Sequence, residues 1–266
     1  MAFDGYTSLS FERPRPGVLL VLLDRPAQLN ATDATLHTEL ARVWRDIEAD
    51  DDSRAVVIAG RGDSFCAGGD LELLEEQIGN FDVLVRTMDE ARAIVGGVLE
   101  STKPVVAAVH GAAFGAGLAL ALLADVSIVA TDARLGDGHV RLGIAAGDHA
   151  VLLWPLLCGM AKAKYHLLTG APLDGREAER IGLVSRCVPA AEVLPAALDV
   201  AERLAASSPT AIRWTRATLN HWYRAAMPAF ESSLAHEMLG FFGPDVADGL
   251  ARLRARLQES SSGDSG

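Results

Sequence analysis

The stretch KPVVAAVHGAAFGAGLALALLADVSIVATD, residues 103–132, decides how the rest of the chain must be arranged. Between Pro104 and Ala130 the only ionisable residues are His110 and Asp125, so the segment is apolar enough to pass for a membrane span. Gly111, Gly115 and Gly117 break it in the middle, and a Val-rich run stands on each side of an Ala/Leu-rich run. The pattern therefore reads as strand (KPVVAAVHG), helix (GAGLALALLAD) and strand (VSIVATD). Continuous apolar strands joined by a crossover helix belong to a parallel sheet covered on both faces.

Working outward, AVVIAG at 55–60 has the same unbroken apolar character, and YTSLSF and GVLLVLL near the start read as two strands with ERPRPG as the turn. A helix carries Leu36, Leu40, Val43, Trp44 and Ile47 at helical spacing behind a Thr/Asp cap. DSFCAGGDLELLEE turns through glycines into another helix, and a longer one covers roughly Phe81 to Glu100. Beyond roughly residue 160 the strands nearly stop and helical patterns follow, punctuated by Gly and Pro. The chain divides as an α/β core (1–194), a helical region (195–258) and a polar tail (259–266) expected to be disordered.

Composition narrows the partners. The 266 residues are 50% hydrophobic, which suffices for a large core. A net charge of −11 without a long Lys/Arg run argues against nucleic acid as a partner. Cys66, Cys158 and Cys187 are widely spaced and flanked by apolar residues, as in reduced thiols of a cytoplasmic protein. The first residues lack a basic-then-apolar export pattern, which also predicts a cytoplasmic location. No H-x-x-x-H or H-E-x-x-H pair offers a zinc site, no G-x-S-x-G offers a serine nucleophile, and GAAFGAG lacks the dinucleotide spacing.

SFCAGGDL and HGAAFGAGLAL each lead from a strand into a helix through small residues. Such turns aim backbone N–H groups into a cleft, and two on neighbouring strands make an oxyanion hole. The same small residues also serve tight turns and close packing, and both readings stand at this point.

RPAQLNA (25–31), DSFCAGGDL (63–71), residues 103–130 and LTGAPLDGREAERIGLVSRCVP (168–189), in that order and spacing, resemble the enoyl-CoA hydratase/isomerase (crotonase) superfamily. The resemblance spans about residues 6 to 240. It implies a ClpP/crotonase-like α/β fold of repeated ββα units with a C-terminal helical region, assembled as a homotrimer or homohexamer. It implies acyl-CoA thioester substrates, no metal and no redox cofactor. It assigns the oxyanion N–H groups to Ala67 and Ala116, the latter where the family has Gly, provided that the φ of Ala116 is negative. It places Arg25 at the CoA phosphates or pantetheine and the Ala67, Gly69, Asp70 and Leu71 segment at the adenine end.

The resemblance fails at the proton-transfer groups. Hydratases of this family use two glutamates, and the matching positions here hold Ala119 and His139. His139, with Asp148 nine residues on, resembles the His–Asp dyad of the 6-oxocamphor hydrolase branch. That resemblance makes His139 the base, Asp148 its orienting carboxylate and Glu237 a further active-site group. Asp148 also suits the N-cap of the helix that follows. His110, Asp137 and His149 read as structural residues. The reaction expected is hydratase/isomerase-type acyl-CoA chemistry through His139. A retro-Claisen hydrolysis of a cyclic β-ketoacyl-CoA or β-diketone, or a non-catalytic acyl-CoA binding role, are the alternatives.

Overall fold

A computed structural model describes residues 3–263. The chain opens with an antiparallel hairpin of β1 (Leu9–Arg15) and β2 (Val18–Leu23), the second buried along its whole length. The expected turn over ERPRPG is shorter than the sequence suggests. Glu12–Arg15 stay in β1, with the register shifting between Glu12 and Arg15, because an edge strand tolerates Pro14 at a bulge. Helix α1 (Ala34–Glu48) is capped by Asp33, whose side chain accepts from the Leu36 N–H at 2.8 Å, and leads to β3 (Ala55–Gly60). Helices α2 (Leu71–Gln77) and α3 (Phe81–Glu100) follow, capped by Asp70 and Asn80.

The decisive stretch folds as read, with one addition. It gives β4 (Val105–Val109), a three-residue strand β5 (Ala112–Phe114), α4 (Ala116–Leu123) and β6 (Val126–Ala130). Next come β7 (Arg134–Gly136), the single turn α5 (His139–Leu142), α6 (Ala150–Thr169), β8 (Leu173–Asp174), α7 (Gly175–Arg180) and β9 (Arg186–Val188). The chain ends in α8 (Val193–Ala206), α9 (Pro209–Leu219), α10 (His221–Gly240) and α11 (Asp245–Gly263).

Six strands form the main sheet in the order β1-β2-β3-β4-β6-β9, parallel from β2 onward. A small sheet, β5-β7-β8, stands beside it. Helix α8 lies across β2, β3, β4 and β6, so it belongs to the core, and the helical extension begins at α9 rather than at 195. Helix α11 takes in residues 259–263 of the tail expected to be disordered; 264–266 lie outside the described residues. Among the described residues, no helix is long and apolar enough to cross a membrane.

Two contacts place the site. The segment after β3 runs alongside the segment after β4: Cys66 N–H donates to Ala112 O at 3.0 Å, and Phe114 N–H donates to Cys66 O at 3.1 Å. Helix α11 crosses α5 closely enough that a Cβ on Gly249 would collide with the Leu142 backbone.

Candidate active site

Both glycine-rich turns open into one cavity of about 650 Å3, lined among others by Gly68, Gly69, Ala116, His139, Asp148 and Glu237. The turn after β3 is held by RPAQLNA. Leu29 and Asn30 take left-handed φ values of 51° and 56°, and buried Asn30 donates to the carbonyls of Arg61 at 2.9 Å and Ser64 at 2.8 Å. This clamp brings Leu29 O to the Ala67 N–H at 3.0 Å. The assignment of Ala67 as an oxyanion donor is therefore corrected: its N–H is already engaged. Gly68 N–H is directed at Cys66 Sγ. Gly69 pairs with Thr32 as an isolated parallel bridge, through Thr32 N–H to Gly68 O at 2.7 Å and Asp70 N–H to Thr32 O at 2.9 Å. That pairing turns the Gly69 N–H away from Thr32, and it has no acceptor among the described residues.

Ala116 is the first residue of α4, and its φ is not positive. Its N–H is one of the donors that a helix start leaves unpaired. A Cβ at Gly117 would collide with Cys66 O, so this glycine lets the two turns touch. Gly69 and Ala116 both line the cavity, and neither N–H has an acceptor among the described residues.

His139 lines the same cavity, its Cε1 3.8 Å from where a Cβ on Gly115 would stand. Asp137, read as a turn residue, accepts from it twice: from the His139 N–H at 3.2 Å and from Nδ1 at 2.9 Å. The expected partner of the orienting bond, Asp148, is on the other side of the ring, 3.9 Å from Nε2. Asp148 is hydrogen-bonded instead to Nδ1 of fully buried His149. It does not cap α6 either, whose N-cap is His149 without a side-chain bond. Glu237, on α10, brings Oε1 to 3.5 Å from His139 Nε2, and its Oε2 is buried without a partner. Gly147 makes room for it, since a Cβ there would stand 2.5 Å from the Glu237 Cβ. Ala119 is buried and is not among the residues lining the cavity, and its methyl group carries no proton donor or acceptor.

The electrostatics follow from burial and crowding. Desolvation lowers the His139 pKa, but Asp137, Asp148 and Glu237 outweigh it and hold the imidazole well above its ordinary value. Burial pushes the Glu237 carboxyl up, against the pull of His139. Burial also acts against Asp148, yet His149 and His139 hold it far below the usual carboxylate range. Ligand atoms of Asp137, Asp148 and His149 lie within 4.8 Å of one another, a spacing that suits a cation, although both carboxylates already accept from imidazoles.

The other expected contacts divide. Ala67 and Gly69 line the cavity, whereas Arg25, Asp70 and Leu71 do not. Arg25 is held by the Ala31 carbonyl and by the carboxylates of Asp33 at 3.1 Å and Asp70 at 3.4 Å. His110 bonds the Gly62 carbonyl at 2.7 Å, in keeping with a structural role.

Residues 13–240 match the family model of enoyl-CoA hydratase/isomerase. The chain belongs to the enoyl-CoA hydratase/isomerase family. Within it, the chain is 31% identical over 254 residues to the "Probable enoyl-CoA hydratase echA8" of Mycobacterium bovis, covering 92% of this chain and 94% of that protein. It is 34% identical over 220 residues to the mevalonyl-coenzyme A hydratase SIDH of Beauveria bassiana, covering 80% and 78%. The crystal structure of an enoyl-CoA hydratase/isomerase from Mycobacterium paratuberculosis superposes with a TM-score of 0.89 at 32% identity, over 94% of this chain and 100% of that one. The crotonase fold expected from the sequence is the observed one.

Proposed function

We propose that the protein adds water reversibly across the C2–C3 double bond of a 2-enoyl-CoA, with an imidazolium–carboxylate couple in place of two glutamates. The observation that carries this reading is the 3.5 Å approach of His139 Nε2 and Glu237 Oε1 in the wall of a cavity that Gly69 and Ala116 also line. Glu237 takes a proton from water as the water oxygen bonds C3. The π electrons move onto the thioester oxygen, which accepts from Gly69 and Ala116. His139 then delivers its Nε2 proton to C2 as the enolate collapses. Both groups are left neutral, and passage of the proton from Glu237 to His139 restores the couple. Asp137 holds the ring through Nδ1, which keeps the acidic proton on Nε2.

The substrate's CoA moiety is bound as part of the thioester, and no separate cofactor enters the scheme. We also infer a cytoplasmic homotrimer or homohexamer, a reading supported by the exposed apolar side chains of Trp214, Leu219 and Trp222 on neighbouring α9 and α10. The test of the reaction is loss of the enoyl chromophore when the protein meets crotonyl-CoA and longer 2-enoyl-CoAs, with gain of one water by mass. Isomerisation of 3-enoyl-CoA without hydration would overturn the water-activating role of Glu237.

A further inference from the structure

We infer that the acyl end of the cavity recognises a hydroxyl group carried by the substrate's acyl chain away from the thioester. This rests on the reading of the cavity as an acyl-CoA site. Most side chains that α2, α3 and α10 bring to the wall are apolar, such as Leu73, Leu74, Ala91 and Met238. Beyond Glu237, the polar side chains buried in this wall are Gln77 on α2, Thr87 on α3 and His37 on α1, at 4%, 7% and 8% exposure.

Helix α3 ties them together, since Thr87 and Glu90, one turn apart on it, bond Gln77 and His37 respectively. The Gln77 amide is anchored through Nε2, which donates to Thr87 Oγ1 at 3.2 Å. Its Oε1 is left enclosed with no partner. His37 is fixed through Nδ1, 2.6 Å from Glu90 Oε2, and its Nε2 has no partner among the described residues. A hydrocarbon chain would leave these groups desolvated and unpaired, which is the costly case for buried polar atoms. A hydroxyl supplies a donor to one and an acceptor or donor to the next. Gln77 closes α2, six residues after Leu71, so the helix rise of 1.5 Å per residue sets the group roughly 9 Å along the helix axis from its start beside Gly69. That separation assigns the hydroxyl to the distal part of a medium-length chain.

Binding of unreactive, saturated thioesters tests this independently of turnover. Hexanoyl-, octanoyl- and decanoyl-CoA are each compared with their ω-hydroxy counterparts by calorimetry. At the best-fitting length the hydroxylated member should bind about tenfold tighter, the gain of one well-made hydrogen bond. In Gln77→Leu the preference should vanish or invert. Thr87→Val, which frees the amide from its anchor, should reduce it, and thermal melting confirms that each variant is folded. Equal or tighter binding of the plain chain at every length overturns the inference, as does an unchanged ratio in both variants. Tight binding of hydroxylated chains by a protein that hydrates no enoyl-CoA would sustain it while sinking the proposed reaction.

Discussion

Asp137 Oδ2 lies 2.9 Å from His139 Nδ1, and the two residues are separated by a single glycine. The turn at Gly138 folds the carboxylate back on the ring, and the side chain of Asp137 is wholly buried behind it. Orientation of the imidazole is therefore local to one turn. Asp137→Asn should lower kcat by about 10²–10⁴, the range expected when a general acid loses its proper proton placement. Asp148→Asn should cost less, since Asp148 touches Nε2 only at 3.9 Å. Steady-state kinetics on crotonyl-CoA compare the two; a larger loss in Asp148→Asn would restore Asp148 as the orienting group.

The pH dependence follows from the same crowding. The proposed couple works with Glu237 ionised and His139 protonated. Burial raises Glu237 above 4.5, and the surrounding carboxylates raise His139 well above 6.5 against desolvation. A plot of log kcat/KM should thus rise through an acid limb above the ordinary glutamate range and fall through an alkaline limb well above 6.5. Both limbs belong to the pair rather than to either residue. A profile that instead climbs through a limb well above 6.5 to an alkaline plateau would make neutral His139 the base.

The main sheet was readable because β2, β3 and β4 are buried along their whole length and so appear as unbroken apolar runs, and β6 departs from this only at Ser127 and partly buried Val126. The small sheet was not: β5 and β7 have three residues each and β8 two, too short for any period. His139 stood out because it occupies a glutamate position of the family. Its partner was misjudged because Asp137, so near in sequence, reads as a turn residue, while Asp148 offered a more familiar spacing. Which N–H of CAGGD is free depends on pairing with Leu29 and Thr32, long-range contacts that no local pattern encodes. Glu237 reaches the site only because Gly147 leaves it space.

Ala116→Pro separates the donor from the fold. Proline is well tolerated at the first position of a helix, where its missing N–H has no helical partner. The change therefore removes the proposed oxyanion donor from α4 with little else. Loss of one such donor typically costs about 10²–10³ in kcat, and the melting temperature should hardly move. Wild-type kcat in a folded Ala116→Pro protein would exclude this N–H from the reaction.

Glu237 is held at the expense of stability. Its pKa in the folded chain is raised above the unfolded value of 4.5, so the folded state binds the extra proton. Stability accordingly falls as pH rises from 4.5 through the folded pKa, and the deficit persists at neutral pH. Glu237→Gln keeps the shape and removes the charge. It should raise the melting temperature at pH 7 while lowering kcat, a trade between stability and activity. Melting curves at pH 4 and pH 7 check the sign: the gain should shrink at the lower pH, and a destabilised variant at pH 7 would contradict it.

Arg216 ties the helical extension to the sheet. Only 6% exposed, it reaches from α9 to Asp125 Oδ2 at 2.7 Å and to the carbonyls of Val98 at 2.6 Å, Leu99 at 3.4 Å and Ser101. These carbonyls close α3, where a cation also meets the negative end of the helix dipole. Arg216→Met fills similar space but leaves them and the Asp125 carboxylate short of a donor. It should cost about 3 kcal/mol, the lower end for breaking a buried pair, because Asp125 keeps some solvent. The largely solvated pairs of Arg15 with Asp199 and Glu202 are the control, and Arg15→Ala should stay within about 1 kcal/mol. Urea unfolding measures both through the midpoint at constant slope. Equal midpoints for the two variants would mean that α9 is held to the core by its apolar contacts alone.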